Sequence, residues 1–243
     1  MQTARSIPAF LGVSLLACIV ALAAAITLLP ASARAAGDAA DRIQKRYEAI
    51  KSFTTEFQQT QTRAAIGVAT DFAGRIWYQR PGLVRWETLK PEEASETIVI
   101  GKNNVWDYVA EMNTASKMRS EDLMRSKTLL RFISGEANLR QDFKVEDAWD
   151  GDENIKEHWK GSGLLVFRLV PHEPEAGLMI AYIGVRPDDY LMQNIMVVDY
   201  QGNANELRMQ DIKIDAEIPK GSFEFTPPSG ATVQDLTQAQ PGQ

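Results

Sequence analysis

The stretch Gly74-Arg-Ile-Trp-Tyr-Gln-Arg80-Pro81-Gly82-Leu83-Val84-Arg85-Trp86-Glu87 constrains the fold more than any other, because two period-two runs flank a turn holding both Pro and Gly. A hairpin is predicted. Successive strand side chains point to opposite faces, so Gly74, Ile76 and Tyr78 share one face and Arg75, Trp77 and Gln79 the other. Past the turn, Val84 and Trp86 share a face against Arg85 and Glu87. Arg80 stands at the lip of this aromatic sheet. Its five donors and permanent charge suit either the backbone carbonyls of whatever covers the sheet or open water at a rim.

The hairpin is one of many. Period-two segments are predicted from Ser52 through Phe53, Thr55 and Phe57 to Thr62, then at 96–100, 104–109, 113–118, 142–149, 164–170, 178–186, 194–200 and 206–214. Turn chemistry separates them, as at Gly101-Lys-Asn103, Asp150-Gly151, Gly161-Ser-Gly163 and Gly202-Asn203. Roughly ten or eleven short strands in this order predict a mainly β fold, an antiparallel sheet that curls toward an incomplete barrel. No nucleotide-binding βαβ unit fits. A helix precedes the strands, with Asp38 as the expected N-cap and Ile43, Tyr47 and Ile50 on its apolar side. Two short helices interrupt them, 120–125 and 128–134, and Leu123, Met124, Leu129, Leu130, Phe132 and Ile133 need cover on more than one side. Residues 221–233 are expected to form a final edge strand, and 234–243 a flexible tail.

Residues 1–35 read as a signal peptide: Arg5 supplies the positive end, 10–29 is apolar except Ser14 and Thr27, and Ala31-Ser-Ala33 or Ala33-Arg-Ala35 offers a cleavage site. An uncleaved anchor and a lipid attached at Cys18, the only cysteine, are the alternatives; Leu16 is bulky for a lipid-processing box. Cleavage would leave one domain, residues 36–233 plus the tail, with no thiol for disulfides, metals or nucleophilic catalysis. It would also remove Arg5 and Arg34 from the 26 basic residues, leaving 24 against 32 acidic ones, a formal charge of −8. That balance argues against a nucleic-acid partner.

Enzyme chemistry finds little support. His158 and His172 are the only histidines and have no metal-ligand spacing; they are expected to be exposed loop residues. Asp150-Gly-Asp152-Glu-Asn154 starts like a calcium loop, but Ile155 stands where Gly is needed and Gly161 where a bidentate Glu is needed, so a solvated acidic turn is expected. No cofactor or metal is expected.

Three segments together carry a family resemblance: Asp38-Ala-Ala40 through Lys51-Ser-Phe53-x-x-x-Phe57-x-Gln59, then Gly-x-Ile-Trp-x-x-Arg-Pro-Gly-x-x-Arg-Trp-Glu, then Phe223-Glu-Phe225-Thr-Pro-Pro-x-Gly230-x-x-Val233. In this order they resemble the periplasmic outer-membrane lipoprotein carrier (LolA-like) family of Gram-negative bacteria. The resemblance implies an incomplete β-barrel with the N-terminal and central helices as a lid over an apolar cavity. It also implies a monomeric periplasmic chaperone taking acylated lipoproteins from an inner-membrane ABC transporter to an outer-membrane acceptor. On that fold Phe53, Phe57, Trp77, Val84, Trp86, Leu130, Phe132 and Ile133 are expected to line the cavity, although Phe53 and Phe57 fit ordinary core equally well. Arg80 is expected to bond the lid while the cavity is empty. Val84 departs from the family, which often has an aromatic there. The outer-membrane acceptor, a lipoprotein itself, and a non-transporting lipoprotein sensor share the scaffold and remain alternatives.

Overall fold

The computed structural model describes residues 31–92, 95–120, 122–123, 129–135, 137–148, 152–175 and 177–238. The leader before Ala31, the acidic turn at 150–151 and most of the first central helix lie outside them. Residues 120, 122 and 123 are helical, and Leu123 is fully buried.

The chain opens with helix α1 (Ala31–Ala49) and passes directly into a long hairpin, β1 (Ser52–Arg63) and β2 (Val68–Gln79), which continues through Arg80-Pro81-Gly82 into β3 (Leu83–Lys90). Strands β4 (Glu96–Ile100), β5 (Val105–Val109) and β6 (Thr114–Met118) meander outward from β3. After helix α2 (Leu129–Ser134) come β7 (Phe143–Asp147), helix α3 (Glu153–His158), β8 (Leu165–Pro171), β9 (Ile180–Val185), β10 (Met192–Val198), β11 (Ala204–Ile214) and β12 (Thr232–Asp235). These form one twelve-stranded open sheet in the order β12-β6-β5-β4-β3-β2-β1-β11-β10-β9-β8-β7. Pairing is antiparallel except for β12, which lies parallel to β6. The chain closes β1 against β11 in full register from Thr62↔Ala204 to Glu56↔Gln210, so the first strand sits mid-sheet and both halves curl about it.

Three boundaries differ from the expectations. Helix α1 starts at Ala31, not at Asp38, because the Ala-rich segment before Asp38 has the strongest helix propensity and carries the helix on. The final strand is four residues long and includes Gln234 and Asp235; Pro219, Pro227 and Pro228 lack the N–H groups a longer ladder needs. Residues 153–158 form helix α3 where a solvated turn was expected.

Strand parity sets the core. On β1 the residues Phe53, Thr55, Phe57 and Gln59 are buried, on β2 Gly74, Ile76 and Tyr78, on β3 Val84, Trp86 and Thr88, and these form the concave face. Phe53 stacks on Tyr78 with centroids 5.1 Å apart, and Phe57 meets Trp86 at 4.5 Å. Gly74 is required here: a Cβ would lie 1.8 Å from the Glu87 carbonyl and 2.8 Å from the Phe57 ring. Helices α1 and α2 cover the concave face with Ala40, Ile43, Leu130, Phe132 and Ile133.

The convex face is covered at two places. The C-terminal segment crosses β3–β5, with Phe225 5.9 Å from Trp106 and 5.8 Å from Tyr108, Arg85 Nη1 donating to the Ser222 carbonyl, and the Phe223 carbonyl so close to Gly101 that a Cβ there would sit 2.6 Å from it. Over β8–β10, Trp159 packs with Val166, Tyr182 and Met196 as a second small core.

Candidate functional site: a lidded concave face

The site is the space between the concave face and its two covering helices. α1 ends where the chain turns into β1, and Arg80 stands beside that junction because the β2–β3 turn lies at the same end of the sheet. Its Nε donates to the Ile50 carbonyl at 3.1 Å and its Nη2 to the Tyr47 carbonyl at 2.6 Å. The backbone N–H of Arg80 donates to the Lys51 carbonyl at 2.8 Å. The last carbonyls of a helix have no partners within the helix, and a cation at that end is favoured by the helix dipole. Arg80 thus meets both needs at the junction of α1 with the sheet.

Further polar contacts tie α1 down along its length. Met192 N–H donates to the Tyr47 hydroxyl at 3.1 Å, and burial pushes that phenol's pKa well up. Arg42 Nη1 donates to the Tyr190 hydroxyl at 2.9 Å, Leu139 N–H donates to Gln44 Oε1 at 3.3 Å, and Arg140 pairs with Asp41 at 2.5 Å. Beside them, Arg186 donates to Asp189 and holds its carboxyl below the usual range. α2 is anchored by Arg131, which pairs with Glu175 and Asp142.

Two cavities lie beneath this lid. The smaller, about 320 Å³, is at the Arg80 end, between Ile43 and Tyr47 of α1, Tyr78 and Arg80 of the hairpin, and Phe132 and Ile133 of α2. The larger, about 440 Å³, is at the opposite end, bounded by Trp86, Ile98, Leu129, Leu130 and Val197 together with the amides of Gln59, Gln61 and Asn205.

The expected cavity residues fall into three groups. Trp86 and Leu130 line the larger cavity, and Phe132 and Ile133 the smaller. Phe53, Phe57 and Val84 form the packed floor of the same core cluster, each at most 3% exposed. Trp77 is brought elsewhere: it is half-buried, opposite Arg85 on β3, and by strand alternation lies on the face away from Ile76 and Tyr78. Sequence parity already separated Trp77 from those two residues, so its place on the convex side follows from the pleat.

Other polar residues of interest escaped the sequence reading. Gln59 shares strand parity with Phe53 and Phe57, and a polar residue on an apolar face was a visible signal. Glu206, 5% exposed, accepts from Trp159 Nε1 at 2.6 Å and Arg208 Nε at 2.9 Å, with His158 Nε2 2.8 Å away. Burial raises the pKa of this carboxyl, but those partners outweigh it and hold the group below its ordinary value. His158 is therefore part of a polar cluster on the convex face and not an isolated loop histidine.

A model of the family described as "Outer membrane lipoprotein carrier protein LolA" matches residues 48–226. The chain belongs to that family. Among similar proteins, an outer-membrane lipoprotein carrier protein of Erwinia tasmaniensis is 25% identical over 85% of this chain and 93% of its own length. That of Chromohalobacter salexigens is 25% identical over 88% and 95% respectively. The solved structure of an uncharacterized conserved protein from Thermus thermophilus shares the fold, with a TM-score of 0.50 and 15% identity over 83% of this chain and 99% of that one. LolA-family membership and the lidded open barrel agree on an architecture built around a covered concave face.

Proposed function

We propose that this protein is a periplasmic chaperone that shelters the acyl chains of lipoproteins in the space beneath α1 and α2. On this reading it receives them from an inner-membrane ABC transporter and passes them to an outer-membrane acceptor. Family membership supports the ligand class. The observation that carries the mechanism is the attachment of α1 to Arg80 at the edge of an apolar face, a closure made of a few polar bonds that can be exchanged for water.

The energetics fit a shuttle. At about 0.8 kcal/mol per buried CH₂, exposing one sixteen-carbon chain to water costs roughly 13 kcal/mol. Three fully buried chains would exceed the ceiling of about 18 to 21 kcal/mol seen for non-covalent binding, and a carrier that bound so tightly would not release. Partial shelter is the useful regime. The floor of Phe53, Phe57, Val84 and Trp86 offers contact, and Leu129, Leu130, Phe132 and Ile133 on α2 close over it. In the closed form the two cavities are separate, so long chains require the lid helices to move away.

No step here calls for a nucleophile, base or metal, and the role proposed is binding and release. Residues 1–35 act in this reading as an export signal, removed so that the mature chain begins between Arg34 and Gly37 without lipid.

Purification of the native protein from periplasm, followed by intact and denaturing mass spectrometry, tests both points. The expected result is a mature chain starting at 34–37 that co-purifies with acylated peptides. A chain that begins at an acylated Cys18 contradicts the carrier and supports the acceptor reading.

A further inference from the structure

We infer that α2 is a separate leaf of the lid, latched by the ion-pair cluster of Arg131 with Glu175 and Asp142, and that this latch gates the larger cavity independently of Arg80. The inference rests on the carrier reading and adds how its site is opened.

Leu129, Leu130, Phe132, Ile133 and Ser134 of α2 are all buried, which leaves Arg131 as the one charged side chain of the helix. Gly135, in the left-handed region at a φ of 75°, ends it. A tight turn then leads into β7: Asp142 N–H donates to the Asn138 carbonyl at 2.9 Å, and Asn138 N–H to the Asp142 carboxylate at 2.8 Å. α2 thus hangs from the start of β7 by its C-terminal end. Its first residues, Leu129 and Leu130, form a wall of the larger cavity.

Arg131, next to that wall, reaches two acids on the sheet. Its Nη1 pairs with Glu175, and its Nη2 is 3.6 Å from Asp142 Oδ2. The three side chains are 19%, 28% and 34% exposed, so the cluster is partly withdrawn from water, where opposite charges attract more strongly than on an open surface. Both acids stand on braced backbone. Glu175 forms a β-bridge with the fully buried Leu178, and His172 N–H donates to the Asp142 carbonyl at 2.9 Å. Gly177, two residues past Glu175, is itself at the larger cavity, so the latch joins α2 to the opposing wall of the space it closes.

The two attachments of the lid lie at opposite ends of the sheet. Arg80 follows Gln79, which pairs with Ser52 at the start of β1. Glu175 precedes β9, whose Ile180 pairs with Val198, Val198 with Ala204, and Ala204 with Thr62 near the far end of β1. They also differ in chemistry, since Arg80 meets neutral backbone carbonyls and Arg131 meets two carboxylates. Releasing one leaves the bonds of the other intact. α2 can therefore lift from the larger cavity while α1 stays down.

Cys18 is the only cysteine, so in a Cys18→Ser background one engineered thiol reports one place. Leu130→Cys reports α2, Ile43→Cys reports α1, and Ala115→Cys, buried on β6 outside the core cluster beneath the lid, reports global unfolding. The rate of reaction with a disulfide reagent is expected to rise about tenfold at position 130 in Arg131→Met and in Glu175→Gln, with positions 43 and 115 unchanged. Combining the two changes is expected to add nothing to Arg131→Met alone, since both break the same bond. Arg80→Leu is expected to quicken position 43 and not position 130. A uniform rise at all three positions in Arg131→Met overturns the latch in favour of plain loss of stability. A joint rise at 43 and 130 overturns it too, because the lid is then one leaf, and so does an unchanged rate at 130. Fluorescence anisotropy with a labelled palmitoyl-cysteinyl peptide ties the latch to cargo: binding is expected to be about tenfold tighter in Arg131→Met, because the closed leaf and the acyl chain compete for the same wall. Equal affinity in the two proteins overturns the gating role. Failure of the peptide to bind either protein overturns the carrier reading, and the labelling pattern then decides the latch by itself.

Discussion

Glu206 shows what a single buried carboxylate does on the side of the sheet away from the cavity. Its contacts to Trp159, Arg208 and His158 fix the small convex core on which α3 rests. Its pKa is lowered in the folded protein, so the charged form is favoured by folding; the resulting stability is present above its ordinary value near 4.5 and is lost as pH falls through the folded value. Glu206→Gln, which cannot ionise, is expected to lower stability at pH 7 by about 1 to 3 kcal/mol, with the deficit shrinking on acidification. Denaturant titrations at pH 7 and pH 3 check this, and an equal deficit at both would show that the carboxylate's charge is immaterial. The cluster was invisible in the sequence because His158 and Glu206 are 48 positions apart and meet only when β11 pairs with β10. Gln59 differs: its parity with Phe57 could be read directly, although its hydrogen bond to Asn205 depends on the pairing of β1 with β11.

At the level of elements, the hairpin that organises the sheet was legible because Pro81 and Gly82 punctuate two alternating runs. Arg80 could be placed at the rim for the same reason, but which carbonyls it meets could not. Those belong to the junction of α1 and β1, and the direction in which α1 leaves the sheet is a matter of packing. α3 was missed because six residues are too few to show a helical period, and the edge strand β12 was expected too early and too long because four exposed residues carry no burial pattern. The close contact of β2 with β3 gives a prediction of its own. Gly74→Ala would drive a Cβ into the Glu87 backbone, so a loss of roughly 3 kcal/mol or more is expected. For a domain of this size that corresponds to a fall in melting temperature of about 6 to 12 °C. An unchanged melt would mean that β3 can move away freely and that the tight packing of Phe57 on Gly74 is not needed.

For the whole molecule, the carrier reading has closure without ligand and opening with ligand compete for the same concave face. α1 in the closed form buries Ala40 and Ile43 against the concave face, while its bonds to Arg80 come from an exposed side chain that water can reach, so on the carrier reading a bound acyl chain that takes over the same face can tip the balance. Bonds from the Arg80 guanidinium contribute roughly 1.5 kcal/mol, the low end for a charged donor because water competes for it; this biases the equilibrium toward the closed form by about tenfold. On the carrier reading the same bias expels ligand, since whatever stabilises the empty closed form weakens retention in the open one. Arg80→Leu removes the bias while leaving the apolar floor intact. The direct test is to load wild type and Arg80→Leu with a fluorescent triacylated lipopeptide and time its release to an excess of liposomes, beside a thermal melt that verifies folding. Release from the variant is predicted to be slower by up to about tenfold, with uptake preserved. Equal release rates from the two folded proteins would contradict the account and leave Arg80 as a surface arginine with no part in the closure.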